Sequence, residues 1–218
     1  MTTEVKFYFD FLSPFSYFAW RSLPAKLPPH CHVSFLPVAL GPLLNHWGIK
    51  GPGEVQPKRE FLLKQMLRKS VREGFPFTTP KTHPFNSLFA QRLALKEVAG
   101  VQQGAVIKTL WLAGWEKRID MGNPDELLAA LREAGLPADE LYEKSFSAEA
   151  KKALKTNIAE ALAYGVFGVP SFVVNDELFW GEDSLPELVS FVQGQDVLDR
   201  AKFQELISQT PRAAGQSL

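Results

Sequence analysis

Ser13-Pro14-Phe15-Ser16 follows a β-rich aromatic run, residues 5 to 9, and reads as the first turn of a helix, with a hydroxyl at the cap and proline just inside. A hydroxyl among free backbone amides at a helix N-terminus stabilises an anion. If that anion is sulfur, it is not the chain's own. Cys31 is the single cysteine of 218 residues, which excludes an internal disulfide, a C-x-x-C pair and a thiolate metal cluster. Other chemistry-bearing residues are few. Gly168-Val169-Pro170-Ser171 opens a late strand, and Glu182-Asp183 precede the capping-box pattern Ser184-x-x-Glu187. His30 and His32 flank Cys31 on a strand, where alternate side chains face opposite sides, so no metal set is expected there. In His83-Pro84-Phe85-Asn86, Asn86 reads as a helix cap, and His83 and Phe85 are either loop residues or face a substrate.

The elements that must position these residues are legible from periodicity. Strand 5–9, a helix beginning at Pro14 and limited by Pro24, Pro28 and Pro29, and strand 32–38 form a βαβ unit in the first forty residues. Asp10 is placed to cap or position the strand-to-helix loop. Strand-like alternation then disappears until about residue 170. Apolar spacing predicts helices over 57–73, 86–99 and 103–118, and Asn123-Pro124-Asp125-Glu126 starts another. Segment 41–56, with Gly41, Pro42 and Gly48, reads as a loop. Ser147 opens a helix that Gly165 closes, strands 171–175 and 177–180 flank a tight turn at Asn175-Asp176, and helix 185–193 ends at Gly194. Trp111, Trp115 and Trp180 are expected in the core.

Composition narrows the class. Lys plus Arg number 24 and so do Asp plus Glu, and no run of four like charges concentrates either sign, so neither nucleic acid nor an anionic membrane surface is an expected partner. With 45% apolar and 22% charged residues the chain is globular. The opening MTTEVKFYFD lacks the pattern of a signal peptide, no stretch approaches 18 apolar residues, and a reducing cytosol is the expected compartment.

The order β-α-β, helical block, α-β-β-α is that of a thioredoxin-like domain of the DsbA type, with serines where that fold carries its two cysteines. The stretches FYFDFLSPFSYFAW, Pro57-Lys58-Arg59 and FGVPSFVVNDELFWGEDSLPEL resemble the 2-hydroxychromene-2-carboxylate isomerases and the related kappa-class glutathione transferases. The resemblance covers roughly residues 4 to 193. It implies an α/β fold, a thioredoxin-like domain (1–41 and 147–195) with an inserted all-helical subdomain (42–146), followed by a C-terminal helix and loose tail (196–218). It also implies a glutathione-dependent enzyme, commonly a dimer.

The resemblance sets Ser13 against the glutathione sulfur. A thiol of pKa ~8.5 must gain about 2.7 kcal/mol of differential stabilisation to titrate ~2 units lower. A helix N-terminus supplies roughly 0.3 to 2 kcal/mol and a hydrogen bond to a charged group about 1.5 to 3. Ser13 can supply both as a donor, not a nucleophile; from its spacing alone it reads first as a plain N-cap, and the C-terminal motif favours the functional role. The resemblance further makes Pro170 cis, freeing the Val169 backbone to pair with a peptide-like ligand. It brings Asp183, with Glu182 beside it, to the γ-glutamyl ammonium, and Lys58 or Arg59 to the glycine carboxylate. Where relatives often carry an asparagine and a basic residue after the second strand, this chain has Ile49 and Asn45; Asn45, His46 and Trp47 are therefore candidates for a substrate wall.

The expected reaction is a glutathione-dependent cis/trans isomerisation of an intermediate of aromatic degradation, by reversible thiolate addition. The pocket is expected between the thioredoxin-like half and the helical block. The alternatives are a kappa-like transferase that consumes glutathione, and a redox-inactive thioredoxin-like binding module.

Overall fold

A computed structural model describes residues 2–210. Strands β1 (Thr3–Phe9) and β2 (Cys31–Pro37) are parallel and joined by α1 (Pro14–Lys26); β3 (Ser171–Val174) and β4 (Glu177–Trp180) complete a mixed sheet in the order β2-β1-β3-β4. Asn175 and Asp176, with φ of 48° and 65°, make the tight turn read from the sequence. Between β2 and β3 run α2 (Leu40–Trp47), α3 (Gln56–Glu73), α4 (Leu88–Leu93), α5 (Lys96–Ala99), α6 (Gln103–Trp115), α7 (Pro124–Glu133), α8 (Ala138–Ser145) and α9 (Ala148–Ala163). Helices α10 (Leu185–Val192) and α11 (Arg200–Gln209) follow β4. The tail read as loose lies, from residue 211 on, outside the described residues.

Local signals set most of these boundaries. Asn123 accepts the Asp125 N–H and Ser147 the Ala150 N–H, while Gly165 and Gly194 close their helices at positive φ. Four expectations need correction. Segment 41–56 is not all loop: Gly41 and Pro42 sit in the first turn of α2, where a missing amide costs nothing, and Gly48 closes that helix at φ 64°. The helix expected over 86–99 is broken at Leu95 into α4 and α5. Helix α1 runs through Pro24. The Ser184 capping box does not form, because the Ser184 hydroxyl donates to the Gly181 carbonyl instead.

One apolar core runs from the sheet into the helices, which ties the loop before α1 to distant parts of the chain. Phe7 and Phe172, partners across β1 and β3, stack at 4.9 Å; Phe9 and Phe11 continue the column onto Trp111 of α6, which also meets Tyr17 and Trp20 of α1. Each such side chain contributes roughly 1.5–3 kcal/mol by burial. Trp111 and Trp115 are buried as expected, but Trp180 is 53% exposed, because it ends edge strand β4, where nothing further packs over it. On the sheet's other face Tyr8, Val38, Ala161, Val166, Val169 and Val173 form a smaller cluster. Among the described residues no helix is long and apolar enough to cross a membrane.

Candidate functional site

The loop from Asp10 to Ser13 is fixed by groups that converge from four other parts of the chain. The buried Asp10 carboxylate accepts the Leu12 N–H (2.9 Å) and the Leu40 N–H (2.8 Å), joining the loop to the start of α2. The Trp115 indole N–H donates to the Phe11 carbonyl at 2.9 Å, and His83 Nε2 meets the Leu12 carbonyl at the same distance. Ser13 N–H closes back on the Asp10 carbonyl. Burial pushes the Asp10 carboxyl above its ordinary value, against the pull of the Leu12 and Leu40 amides and the side chains of Ser87 and Gln91.

Ser13 is the N-cap of α1. Its Oγ accepts the Ser16 N–H (3.2 Å) and donates to the Val169 carbonyl (3.3 Å). Pro14 has no N–H and that of Ser16 is taken, so Phe15 carries the first-turn amide left for an anion. The Ser13 residue is 6% exposed, and the buried Ser16 hydroxyl has no hydrogen-bond partner among the described residues. The Val169–Pro170 bond is cis, and Val169 precedes the β1–β3 register, so its backbone takes no part in that ladder. Helix start and pre-proline carbonyl thus meet at one hydroxyl.

Around this point the expected residues take different places. Trp47 reaches from α2 to the Val166 carbonyl (3.0 Å), with His46 edge-on to it at 4.9 Å and Asn45 exposed on the same last turn. Across the same segment Trp180 lies 4.9 Å from Phe167 and covers Gly168, where a Cβ would stand 2.8 Å from the indole nitrogen. His83, half-buried, packs edge-on against Trp115 (5.6 Å) and Phe85 (6.2 Å). Lys58 is exposed on the first turn of α3 and lines a hollow of about 300 Å³ with Pro52, Pro57, Phe61 and Leu62. That hollow belongs to the 52–62 segment alone, not to the junction at which the pocket was expected.

Glu182 is buried. Gly181, at φ 94°, turns the chain out of β4 so that Glu182 points inward, where one oxygen meets Lys69 at 2.6 Å and the other Lys26 at 3.5 Å. Both oxygens are thus paired with lysines, while the neighbouring Asp183 is exposed. Lys69 also pairs with Glu73, so β4's exit is bolted to α1 and α3. Cys31 is a free, half-buried thiol whose pKa burial raises, the reverse of an activated nucleophile. His30 and His32 beside it are exposed.

Three features of the site were not read from the sequence. The bonds from Trp115 and His83 to the Asp10–Ser13 loop join residues 104 and 71 positions apart, and no local pattern announces them. The Trp180–Phe167 ledge was hidden because a tryptophan on a strand reads as core.

The family model of the DSBA-like thioredoxin domain matches residues 4–193. Over 195 residues the chain is 30% identical to the 2-hydroxychromene-2-carboxylate isomerase of Sphingobium xenophagum, spanning 88% of this chain and 99% of that protein. It is 26% identical over 210 residues to the glutathione S-transferase kappa 2 of Caenorhabditis elegans, spanning 86% of this chain and 91% of that one. A solved structure of a 2-hydroxychromene-2-carboxylate isomerase superposes with a TM-score of 0.77 at 24% identity, covering 95% of this chain and 100% of the other. The chain belongs to the DsbA-like thioredoxin family and, within it, to the group of the 2-hydroxychromene-2-carboxylate isomerases.

Proposed function

We propose that the chain is a glutathione-dependent isomerase of a 2-hydroxychromene-2-carboxylate or a close aromatic relative. The observation that carries this is the Ser13 hydroxyl, which caps α1 and faces the residue before cis-Pro170. A thioredoxin-like chain with serine there cannot exchange disulfides, yet it keeps the donor set that stabilises a bound thiolate.

The donors and acceptors present suit glutathione. The Ser13 hydroxyl and the Phe15 amide suit its sulfur, the Val169 backbone its peptide, Asp183 its ammonium, and Lys58 or Arg59 a terminal carboxylate. Bound glutathione supplies a thiolate that adds reversibly to a conjugated double bond, allowing rotation and return of the other isomer. Ser13 turns its hydroxyl from a neutral carbonyl to an anionic sulfur, the stronger acceptor. Trp47 on one side and the Trp180–Phe167 ledge on the other offer aromatic faces for the substrate. The reading includes a homodimer in a reducing cytosol, where Cys31 stays a thiol.

The test is stoichiometry. A hydroxychromene carboxylate is offered with trace glutathione, and many turnovers per glutathione are expected. One glutathione consumed per product makes the chain a kappa-like transferase, and failure of calorimetry to detect glutathione or S-methylglutathione at millimolar concentration makes it a binding module.

A further inference from the structure

We propose that His83 is a catalytic base that opens the hemiketal ring of the substrate before any thiol addition. This rests on the isomerase reading above and deepens it. In a 2-hydroxychromene-2-carboxylate, carbon 2 is tetrahedral, so the ring double bond is conjugated to the arene and to no carbonyl. Only the ring-opened keto acid accepts a thiolate. Opening requires a proton to leave the 2-hydroxyl and one to reach the ring oxygen, which is work for a neutral imidazole.

The structure provides one with its tautomer fixed. The Leu12 carbonyl can only accept, so Nε2 carries the proton at 2.9 Å and Nδ1 carries the lone pair. Among the described residues Nδ1 makes no hydrogen bond. The ring is one peptide group from Ser13, held by Trp115 and Phe85, and its Cε1 edge faces Gly53, where even an added Cβ would lie 3.9 Å away. Gly53 therefore places no side chain of its own over that edge of the ring. Burial holds the imidazole below its ordinary pKa, opposed by the Leu12 carbonyl and reinforced by Arg59 of α3. The other groups packed on it, Leu12, Gly53, Phe85 and Trp115, do not titrate.

The step balances without an outside reagent. Nδ1 takes the hydroxyl proton, and the freed electron pair becomes the carbonyl π bond. The bond from carbon 2 to the ring oxygen breaks with its pair on that oxygen, and the imidazolium returns the proton there. Nothing is oxidised or reduced, and the product is an isomer of the substrate.

Ring opening is read by NMR exchange between the closed and open-chain forms, with the full chain and S-methylglutathione, whose thioether cannot add. The native chain is expected to accelerate the exchange, with the rate falling in acid as Nδ1 is protonated. His83→Gln, which keeps a donor for Leu12, is expected to reduce the acceleration about 100-fold and to abolish the acid limb. Gly53→Val, covering the free edge, is expected to lower it with His83 intact. Equal acceleration by the native chain and His83→Gln overturns the proposal. A second arm compares glutathione-dependent isomerisation of the hydroxychromene with that of an open-chain arylidene keto acid lacking the ortho hydroxyl. The loss in His83→Gln should be about 100-fold greater for the hydroxychromene, and equal losses mean that His83 only holds the loop, which also overturns the proposal. Ring opening by the native chain without glutathione-dependent isomerisation supports the role of His83 and defeats the glutathione reading. If the native chain does neither, both fall.

Discussion

The Ser13 hydroxyl donates to the Val169 carbonyl at 3.3 Å while its oxygen accepts the Ser16 N–H at 3.2 Å, so one atom joins the start of α1 to the residue before cis-Pro170. The donated bond is long and ends on a neutral acceptor, which makes it easy to exchange for a thiolate. Ser13→Ala removes both bonds. Loss of the cap should lower stability by about 0.5–2 kcal/mol, and loss of the donor should raise the pKa of the bound thiol by about 1–2 units. Ultraviolet titration of the thiolate in the complex reads the second effect. An unchanged thiol pKa would remove Ser13 from the chemistry.

Glu182 and Asp183 are neighbours whose substitutions should separate cleanly. Glu182→Ala leaves the nearly buried Lys69 with Glu73 alone and Lys26 without its acid, and the cost of breaking such a pair is about 3–5 kcal/mol. Its effect should appear in denaturant midpoints. Asp183→Asn, on an exposed residue, should leave stability within about 0.5 kcal/mol of the native chain and weaken glutathione binding. Calorimetry and denaturation of both variants check the pair, and the reverse pattern would give the ligand role to Glu182.

What was legible in the sequence is what short range decides. Asn123, Ser147, Gly165 and the Asn175-Asp176 turn act on their own few residues, and each stands as read. Ser13 and Pro170 lie in motifs, and their meeting follows from fold order. Segment 41–56 misled because glycine and proline break helices in the interior but are tolerated in a first turn. Trp180 misled because residue type does not reveal which strand is an edge. The partners of Glu182 and of the Leu12 carbonyl come from distant helices and loops, so neither is visible until the chain is folded.

Trp115 tests whether that long-range support matters to the site. Its indole N–H donates to the buried Phe11 carbonyl, and Phe77 stacks on its ring at 5.7 Å. Trp115→Phe keeps an aromatic ring and strands the carbonyl. The expected cost is about 1–3 kcal/mol in stability, with a rise in the pKa of the bound thiol, since the loop that aims Ser13 loses a tether. A stability loss with an unchanged thiol pKa would confine Trp115 to the core.

Asp10 gives the protein a pH-dependent stability of predictable sign. Its carboxyl is raised by burial, so the native state holds this proton at pH values where the unfolded chain has released it. In that window the native state binds more protons, and stability falls as pH rises. The contribution is therefore full below the ordinary aspartate value and is lost as pH climbs through the raised native one. Asp10→Asn cannot titrate, and its amide can accept from Leu12 or from Leu40 but presents N–H groups elsewhere, at a cost of about 1–3 kcal/mol. The stability advantage of the native chain over Asp10→Asn should thus be largest in acid and shrink toward neutral pH in urea denaturation. An advantage that grows with pH would show that the amides of Leu12 and Leu40 outweigh burial, and that Asp10 is held as an anion beneath Ser13.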